Sequence, residues 1–183
     1  MREFILYSRR GRTDNKFRNL REAGRLDVLY QCLLFAFFTS GAIRRNVTFH
    51  GVLGGPPKPP LCITVDGSTL RNVRTDERTW EEILRKVLSG EPHQGITIHK
   101  KSLQDLVRNK ENLFALEEKG EDAFKTSFGE DPTFVLGDQV GLPKKDEEFV
   151  LRFGRKISLG KRPYLAATCV DIINYLADLQ RVS

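Results

Sequence analysis

The sequence has no apolar run long enough to cross a membrane. Its strongest apolar stretch, residues 26–38, is interrupted by Asp27 and Gln31. That stretch is much shorter than a bilayer span of about 20 residues. The apolar stretch near the start, Phe4 to Tyr7, is also too short for the core of a secretory signal. We therefore expect a protein that has no membrane partner and stays in the cytoplasm.

The sequence is also poor in residues that form disulfides or bind metals. Its three cysteines, Cys32, Cys62 and Cys169, are odd in number, widely spaced and set in apolar segments. Its three histidines show no metal-binding spacing. These patterns argue against a disulfide framework and a thiolate metal site, so we expect reduced structural cysteines and no metal.

Basic charge is present, and most of its excess lies at one end of the chain. The net charge is +6, and residues 1–25 hold eight Lys or Arg against three Asp or Glu, a local balance of +5. A localised basic segment is typical of proteins that bind the phosphate backbone of RNA or DNA. The alternative is a solvated basic loop that only aids solubility.

Strand-like and helix-like segments alternate along the 183 residues, a length that suits one packed domain. Thr79 is the predicted N-cap of one helix, with Glu82 completing a capping box. The alternation predicts a single α/β domain with a mostly parallel sheet and a ligand site in the loops that follow the strands. The predicted strands are 2–8, 47–53, 61–65, 96–98, 133–136 and 156–159, and the predicted helices are 24–39, 79–88, 103–107, 146–153 and 165–179.

Two segments in the second half carry a family resemblance. Residues 134–142 read Phe-Val-Leu-Gly-Asp-Gln-Val-Gly-Leu, and residues 157–165 read Ile-Ser-Leu-Gly-Lys-Arg-Pro-Tyr-Leu. Together they resemble the cofactor half of the SPOUT methyltransferases. The resemblance implies an α/β fold with a C-terminal trefoil knot that binds S-adenosylmethionine. The RNA-facing part would be about residues 1–110 and the cofactor-binding knot about residues 111–183.

The first half narrows this resemblance to one family. The series Ala-Gly-Arg-Leu-Asp-Val-Leu at 23–29, Ala-Phe-Phe at 36–38, Ile-Arg-Arg-Asn-Val at 43–47 and Asp-Glu-Arg at 76–78 resembles the archaeal tRNA pseudouridine N1-methyltransferases, TrmY. The resemblance implies N1-methylation of a pseudouridine in tRNA. The chain departs from the family at Gln139 and Glu117, where the family has histidines, and at Thr75, where it has proline. A divergent branch, bacterial or archaeal, could therefore act on another nucleotide.

Alignment to the family implies a set of cofactor contacts in which glycines are prominent. A glycine lets the backbone approach a ligand closely, although a tight turn after a strand needs glycine equally. For the cysteine in the set, the alternative is a small buried apolar residue at the start of a helix. The implied contacts are Leu116, Gly137, Leu159, Gly160, Lys161, Arg162, Pro163, Tyr164 and Cys169.

Two aspartates are candidates for the catalytic step. A methyl sulfonium is already activated, so the enzyme mainly has to position the acceptor. The acceptor nitrogen of pseudouridine carries a proton that must leave, and a carboxylate could accept that proton or orient the base. Asp76, in a polar loop, is the first candidate and Asp27, early in a helix, is the second. Capping, or pairing with Arg78 and Arg25, is the structural alternative for both.

Basic residues that follow several predicted elements could converge on RNA. Arginine suits this role because its planar guanidinium binds phosphate with two hydrogen bonds. The predicted RNA-binding residues are Arg9, Arg10, Arg12, Lys16, Arg25, Arg44, Arg45 and Arg78.

The last predicted helix carries an apolar stripe with polar residues opposite, and relatives implied by the resemblance pack this helix against a second subunit. The sequence therefore predicts a homodimeric, S-adenosylmethionine-dependent RNA methyltransferase. The alternatives are an RNA-binding protein of the same fold without this activity, and a ribose 2'-O-methyltransferase. The stripe comprises Leu165, Cys169, Ile172, Ile173, Leu176 and Leu179, and the opposite side comprises Asp171, Asn174, Asp178 and Gln180.

Overall fold

The computed structural model describes residues 1–180, which form strands and helices in alternation. Within this range no helix is long and apolar enough to cross a membrane. In chain order the elements are β1 (Arg2–Ser8), α1 (Leu26–Phe37), β2 (Phe38–Thr39), β3 (Ala42–Ile43), β4 (Val47–Leu53), β5 (Leu61–Asp66), α2 (Glu77–Leu88), β6 (Ile96–His99), α3 (Leu103–Val107), β7 (Leu113–Asp122), β8 (Thr133–Gly137), α4 (Lys144–Val150), β9 (Gly154–Ser158) and α5 (Ala166–Leu179).

Seven strands form one sheet in the order β6-β5-β4-β1-β8-β7-β9. From β4 to β9 every neighbouring pair is parallel, whereas β5 and β6 add antiparallel pairs at one edge. The prediction of a mostly parallel sheet is therefore confirmed. Parallel strands are normally covered on both faces, and Phe4, Ile5 and Leu6 in the central β1 have no exposed surface.

Helices cover both faces of the sheet. One core joins buried residues of α1, α2 and α5 to Phe4 and Leu6 of β1. The other core contains Ile5 of β1 with residues of α3 and α4. Successive side chains of a strand point to opposite faces, so β1 contributes to both cores. α1 and α5 also pack against each other on their shared face.

The start of α2 differs from the sequence prediction, which named Thr79 as the N-cap. The helix begins at Glu77, and Asp76 is its N-cap. The Asp76 carboxylate accepts hydrogen bonds from the Thr79 amide and the Thr79 hydroxyl, each at 2.9 Å. A carboxylate satisfies the free amides of a first turn well, so the cap lies three residues earlier than predicted. The predicted cap of α3 by Ser102 is confirmed, with a complete capping box.

The apolar stripe predicted along α5 divides into two parts. Ile173 has no exposed surface and belongs to the core of its own chain, whereas Leu165 and Leu179 are 70% and 63% exposed. Asn174, which the sequence pattern assigns to the polar side, is buried. Its side-chain amide donates to the Phe35 carbonyl at 2.8 Å, and its side-chain oxygen accepts from Arg2 at 3.0 Å. The placement of Asn174 on the solvent side is thus wrong, because hydrogen bonds across the core satisfy the buried amide.

The second half of β7 crosses closely over β9. After a register shift, Glu121 and Asp122 pair with Ile157 and Ser158. At the crossing, a Cβ on Gly120 would lie 2.6 Å from the carbonyl carbon of Ile157, so a side chain there would force the strands apart. The predicted knot concerns how the chain threads through this region, and it stays a prediction.

Candidate active site

A cavity of about 510 Å³ opens beyond the carboxyl ends of β8 and β9 and beside the middle of β7. Its walls are residues 116–118, residues 136–142, the loop that leads into α5, Glu147 of α4, and one side of α1. Small-molecule sites have volumes of about 300–1,000 Å³. Ligands of parallel sheets bind beyond the carboxyl ends of the strands, so the cavity lies where the sequence analysis expects a ligand.

The loop after β8 turns back sharply at Gly137. A Cβ on Gly137 would lie 2.3 Å from the carbonyl carbon of Gly141, so the loop closes over this residue only because it lacks a side chain. Asp138 is 7% exposed and fixes the turn. One of its carboxylate oxygens accepts from the Val140 amide at 2.9 Å, and the other accepts from the Arg9 amide at 2.8 Å. Asp138 therefore ties the cavity loop to the start of the basic segment.

The loop after β9 is shaped by a serine and a glycine. The Ser158 hydroxyl oxygen accepts from the Gly160 amide at 3.0 Å and lies 3.0 Å from the Glu118 carbonyl, to which the hydroxyl donates. Gly160 has a φ of +127°, a conformation that side-chain-bearing residues rarely adopt. Although this loop is neither helix nor strand, these hydrogen bonds fix its backbone groups at the mouth of the cavity.

The structure brings together most of the residues that alignment implies as cofactor contacts. All of them except Lys161 line the cavity. Lys161 is exposed next to that wall. Cys169 is half-buried, and burial raises the pKa of its thiol to about 11, so it is a neutral group at physiological pH. The role of these residues as cofactor contacts stays a prediction.

The two candidate carboxylates lie in different places. Asp76 is exposed, caps α2, and does not line the cavity. The hydrogen bonds from Thr79 lower the pKa of Asp76, which makes it a weaker base. Asp27 accepts from Arg25 at 2.9 Å, and Arg25 does line the cavity. Of the two aspartates, only Asp27 is therefore hydrogen-bonded to a residue of the cavity wall.

Acidic side chains on the cavity wall are absent from the sequence predictions. Glu117, Glu118, Asp138 and Glu147 all line the cavity. The sequence contains one signal for them, because Glu117 stands where the resembling family has histidine. The contribution of Glu147 from α4 depends on the tertiary fold, and no local pattern indicates it.

The basic segment, residues 9–25, is irregular but held in place. The amides of Gly54 and Gly55 donate to the carbonyls of Ser8 and Gly11, at 2.8 and 2.9 Å. From α2, the Arg85 guanidinium donates to three backbone carbonyls, those of residues 15, 17 and 18, and lies 4.4 Å from the centre of the Phe17 ring. Sequence reasoning missed Arg85, because its partners lie almost 70 residues away.

The predicted RNA-binding residues divide into exposed and internally paired groups. Arg10, Lys16, Arg45 and Arg78 are exposed, although Arg45 and Arg78 also have partners, which for Arg78 is Glu82. The side chain of Arg9 is half-buried. The other members are bound to partners within the protein. Arg12 pairs with Asp14, Arg25 with Asp27 and Arg44 with Asp178, and Arg45 donates to the carbonyls of Gly67 and Leu70.

Related methyltransferases align with almost the whole chain. A protein of Methanocella arvoryzae named tRNA (pseudouridine(54)-N(1))-methyltransferase is 34% identical, over 97% of this chain and 99% of that protein. Proteins with the same name from Methanocaldococcus jannaschii and Thermococcus kodakarensis are 33% and 34% identical, over 100% and 97% of this chain and 98% and 99% of their own lengths.

Solved structures share the fold at lower sequence identity. Nep1 of Archaeoglobus fulgidus, bound to S-adenosylhomocysteine, superposes with a TM-score of 0.68 at 16% identity, over 86% of this chain and 72% of that chain. An RNA methyltransferase structure from Bacillus anthracis superposes with a TM-score of 0.52 at 14% identity, over 99% of this chain and 94% of that chain. These likenesses establish the fold, which is that of the SPOUT methyltransferases.

A family model matches residues 1–182 and carries the description "Putative SAM-dependent RNA methyltransferase". Together with relatives above 30% identity over nearly the full length, this match fixes the family. The chain belongs to the S-adenosylmethionine-dependent RNA methyltransferases of this model, among the SPOUT-type proteins that the sequence resembles.

Proposed function

We propose that this protein transfers the methyl group of S-adenosylmethionine to N1 of pseudouridine 54 in tRNA. The main support is sequence similarity over nearly the full length to relatives that are named for that reaction, at 33–34% identity. The cavity at the carboxyl ends of β8 and β9 supplies a site of suitable size. Since the substrate is tRNA, we place the reaction in the cytoplasm.

The residues at the cavity suit a reaction that depends on positioning. In the transfer, the carbon–sulfur bond of the sulfonium breaks, a carbon–nitrogen bond forms at N1, and the N1 proton leaves. The sulfonium becomes a neutral thioether, so no metal or protein nucleophile is required. Gly137 and Gly160 leave backbone groups accessible to the adenosine part, and Leu116, Leu159 and the 161–165 loop would enclose it.

We keep both aspartates as candidates for the group that receives the proton or orients the base. Asp27, held against Arg25 at the cavity wall, is the nearer of the two. Asp76 would need to release its hydrogen bonds to Thr79, or to act from a second subunit. A loss of turnover in Asp27→Asn with unchanged cofactor affinity would favour Asp27, whereas the same loss in Asp76→Asn alone would favour Asp76.

We also propose that tRNA approaches across the basic segment. Exposed Arg10 and Lys16 would bind phosphates directly, with Arg78 at the edge. The paired members, Arg12, Arg25, Arg44 and Arg45, and the half-buried Arg9 would hold the surface in shape and bind RNA only by changing their present contacts. The cofactor part would be about residues 111–183, of which 181–183 lie outside the described range. The RNA-facing part, about residues 1–110, also reaches the cavity through Arg25.

We also propose that two copies of the chain form a homodimer through α5, and that the chain is knotted in its C-terminal part. Tyr175 and Leu179 on α5 are 60% and 63% exposed, and Phe35 of α1, whose carbonyl accepts from Asn174 of α5, is 43% exposed, which supports an apolar interface. Tyr175→Asp should therefore give a monomer in sedimentation equilibrium, and the control Tyr175→Phe should stay dimeric. A wild-type monomer at all concentrations would reject the dimer. The knot is supported by the close crossing at Gly120.

Nucleoside mass spectrometry tests the proposed reaction. The protein is incubated with S-adenosylmethionine and a tRNA that contains pseudouridine, and the RNA is then digested. We expect a pseudouridine methylated on the base. Methyl on the ribose would favour the 2'-O-methyltransferase. Saturable tRNA binding without any S-adenosylmethionine binding in calorimetry would favour the RNA-binding protein without this activity.

A further inference from the structure

The cavity wall is acidic in a protein whose net charge is +6. Four acidic side chains line it, against the basic side chains of Arg25 and Arg162. Arg25 is bound to Asp27, which offsets its charge. The cavity therefore presents negative charge, in contrast to the basic segment beside it.

Among the described residues of this wall, Glu117 and Glu118 are the acidic side chains without an ion pair or an accepted hydrogen bond, and Glu117 is the more buried of the two. Glu147 forms an ion pair with Lys156, and the Asp138 carboxylate accepts two backbone amides. Within residues 1–180, no hydrogen bond or ion pair engages the half-buried Glu117 carboxylate. The charge of Glu117 is thus available to a ligand in the cavity.

The surroundings of Glu117 disfavour its negative charge. Burial is the main cause that raises its pKa, followed by repulsion from Glu147, while Lys156 lowers it and Glu118 raises it. A poorly solvated carboxylate gains more from an approaching cation than a fully solvated one does. A ligand that brings positive charge would relieve this desolvation, and a neutral ligand would not.

We propose that Glu117 makes the cavity select the cationic S-adenosylmethionine over its neutral product S-adenosylhomocysteine. This inference rests on the proposed function. The sulfonium gives the substrate one more positive charge than the thioether product, and the transfer removes that charge. The same wall that attracts the substrate therefore has less attraction for the product, which favours product release.

Calorimetry with three ligands tests this proposal. S-adenosylmethionine and sinefungin, whose amine replaces the methylsulfonium, carry the positive charge, and S-adenosylhomocysteine does not. In Glu117→Gln we expect the affinities for both cations to fall about tenfold and the affinity for S-adenosylhomocysteine to change less than about twofold. The control Glu148→Gln removes the same charge from an exposed position outside the cavity wall and should leave all three affinities unchanged.

A second variant extends the test. Glu147→Gln leaves Lys156 without its partner, so it should reduce the preference for the cations in the same direction, even if Glu117→Gln does not fold. Equal changes for all three ligands, or no change, in both variants would overturn the proposal. If the wild-type protein binds neither S-adenosylmethionine nor S-adenosylhomocysteine, the proposed function fails instead.

Discussion

The cavity and the basic segment lie side by side, but different forces hold them. The cavity loops are shaped by backbone contacts, since Gly137 leaves room for the returning chain and Asp138 binds amides. The basic segment is held by backbone bonds from Gly54 and Gly55 and, in addition, by the Arg85 side chain of α2. Substitutions in the cavity should therefore move the backbone, whereas exposed charges of the basic segment can be removed without altering its path.

The largest effect is expected from Gly137→Val. The added side chain would overlap Gly141 and Leu142, whose atoms lie 2.3 and 2.4 Å from the position of a Cβ. The loop must open, so we expect the affinity for S-adenosylmethionine to fall by more than about 100-fold and stability to fall by about 2 kcal/mol. Calorimetry and urea unfolding measure the two quantities.

Gly41→Val is the control for this substitution. Gly41 differs from Gly137 in having a positive φ, +76°, which strains a valine there, but it has open space around it and lies away from the cavity. The control should lose some stability and keep its cofactor affinity. Equal affinities in Gly137→Val and the wild-type protein would show that the backbone at Gly137 does not shape the ligand site.

The next largest effect is expected from Glu3→Gln, in the strand β1, which pairs with β8 at the cavity and leads into the basic segment. Hydrogen bonds and charge from His50 and Lys110 outweigh burial and lower the pKa of Glu3 from 4.5 to about 2. The folded-state pKa is depressed, so this stabilisation is present above about pH 4.5 and is lost as the pH falls through about 2. We expect Glu3→Gln to cost about 2–3 kcal/mol at pH 7.

Urea unfolding between pH 7 and pH 2 checks this expectation. The difference between the wild-type protein and Glu3→Gln should narrow toward pH 2, and the cofactor and tRNA affinities at pH 7 should stay unchanged. A constant difference over this range would mean that the Glu3 charge contributes nothing.

Arg85→Met should have a smaller effect, confined to the basic segment. The variant removes the donors to the carbonyls of residues 15, 17 and 18 but keeps an apolar stem near Phe17. We expect a loss of about 1–2 kcal/mol and faster amide exchange near Phe17. Cofactor affinity should not change. Unaltered exchange in these residues would show that the segment holds its shape without Arg85.

The smallest effect is expected in the salt dependence of tRNA binding. Arg10→Ala and Lys16→Ala should each reduce the slope of log affinity against log salt by about 0.7–0.9, as expected for one phosphate contact. Arg12→Ala should reduce it less, because Arg12 is already bound to Asp14. Equal slopes in all three variants would show that internal pairing does not determine which charges bind RNA.

The sequence predicted much of the fold because its signals are local. The strand at Arg2–Ser8 and the strand at Val47–Leu53 have the predicted bounds, since apolar runs ended by breakers define them. The β2–β3 hairpin was missed because its strands have two residues each. On α5, helical spacing alone could not tell buried Ile173 from the exposed Leu179.

Only those parts of the site that lie in a recognisable sequence motif could be predicted. The segments around Gly137 and Gly160 match a family pattern and meet at one cavity. The bond from Arg9 to Asp138 and the contribution of Glu147 join residues far apart in sequence, so no periodicity indicates them. The pairing of Arg44 with Asp178, 134 positions away, likewise required the folded chain, whereas the pairing of Arg25 with Asp27 is local and was one of the alternatives that the sequence offered.

The most direct test of the proposed reaction is methyl transfer to two matched tRNA substrates. One tRNA carries pseudouridine at position 54, and the other carries uridine there, with all other residues identical. Each is incubated with the protein and S-adenosylmethionine bearing a trideuterated methyl group, and the oligonucleotides are analysed by mass spectrometry. We predict that the label appears only in the pseudouridine tRNA and only on the base at position 54. Equal labelling of both tRNAs, or label on a ribose, would contradict N1-methylation of pseudouridine.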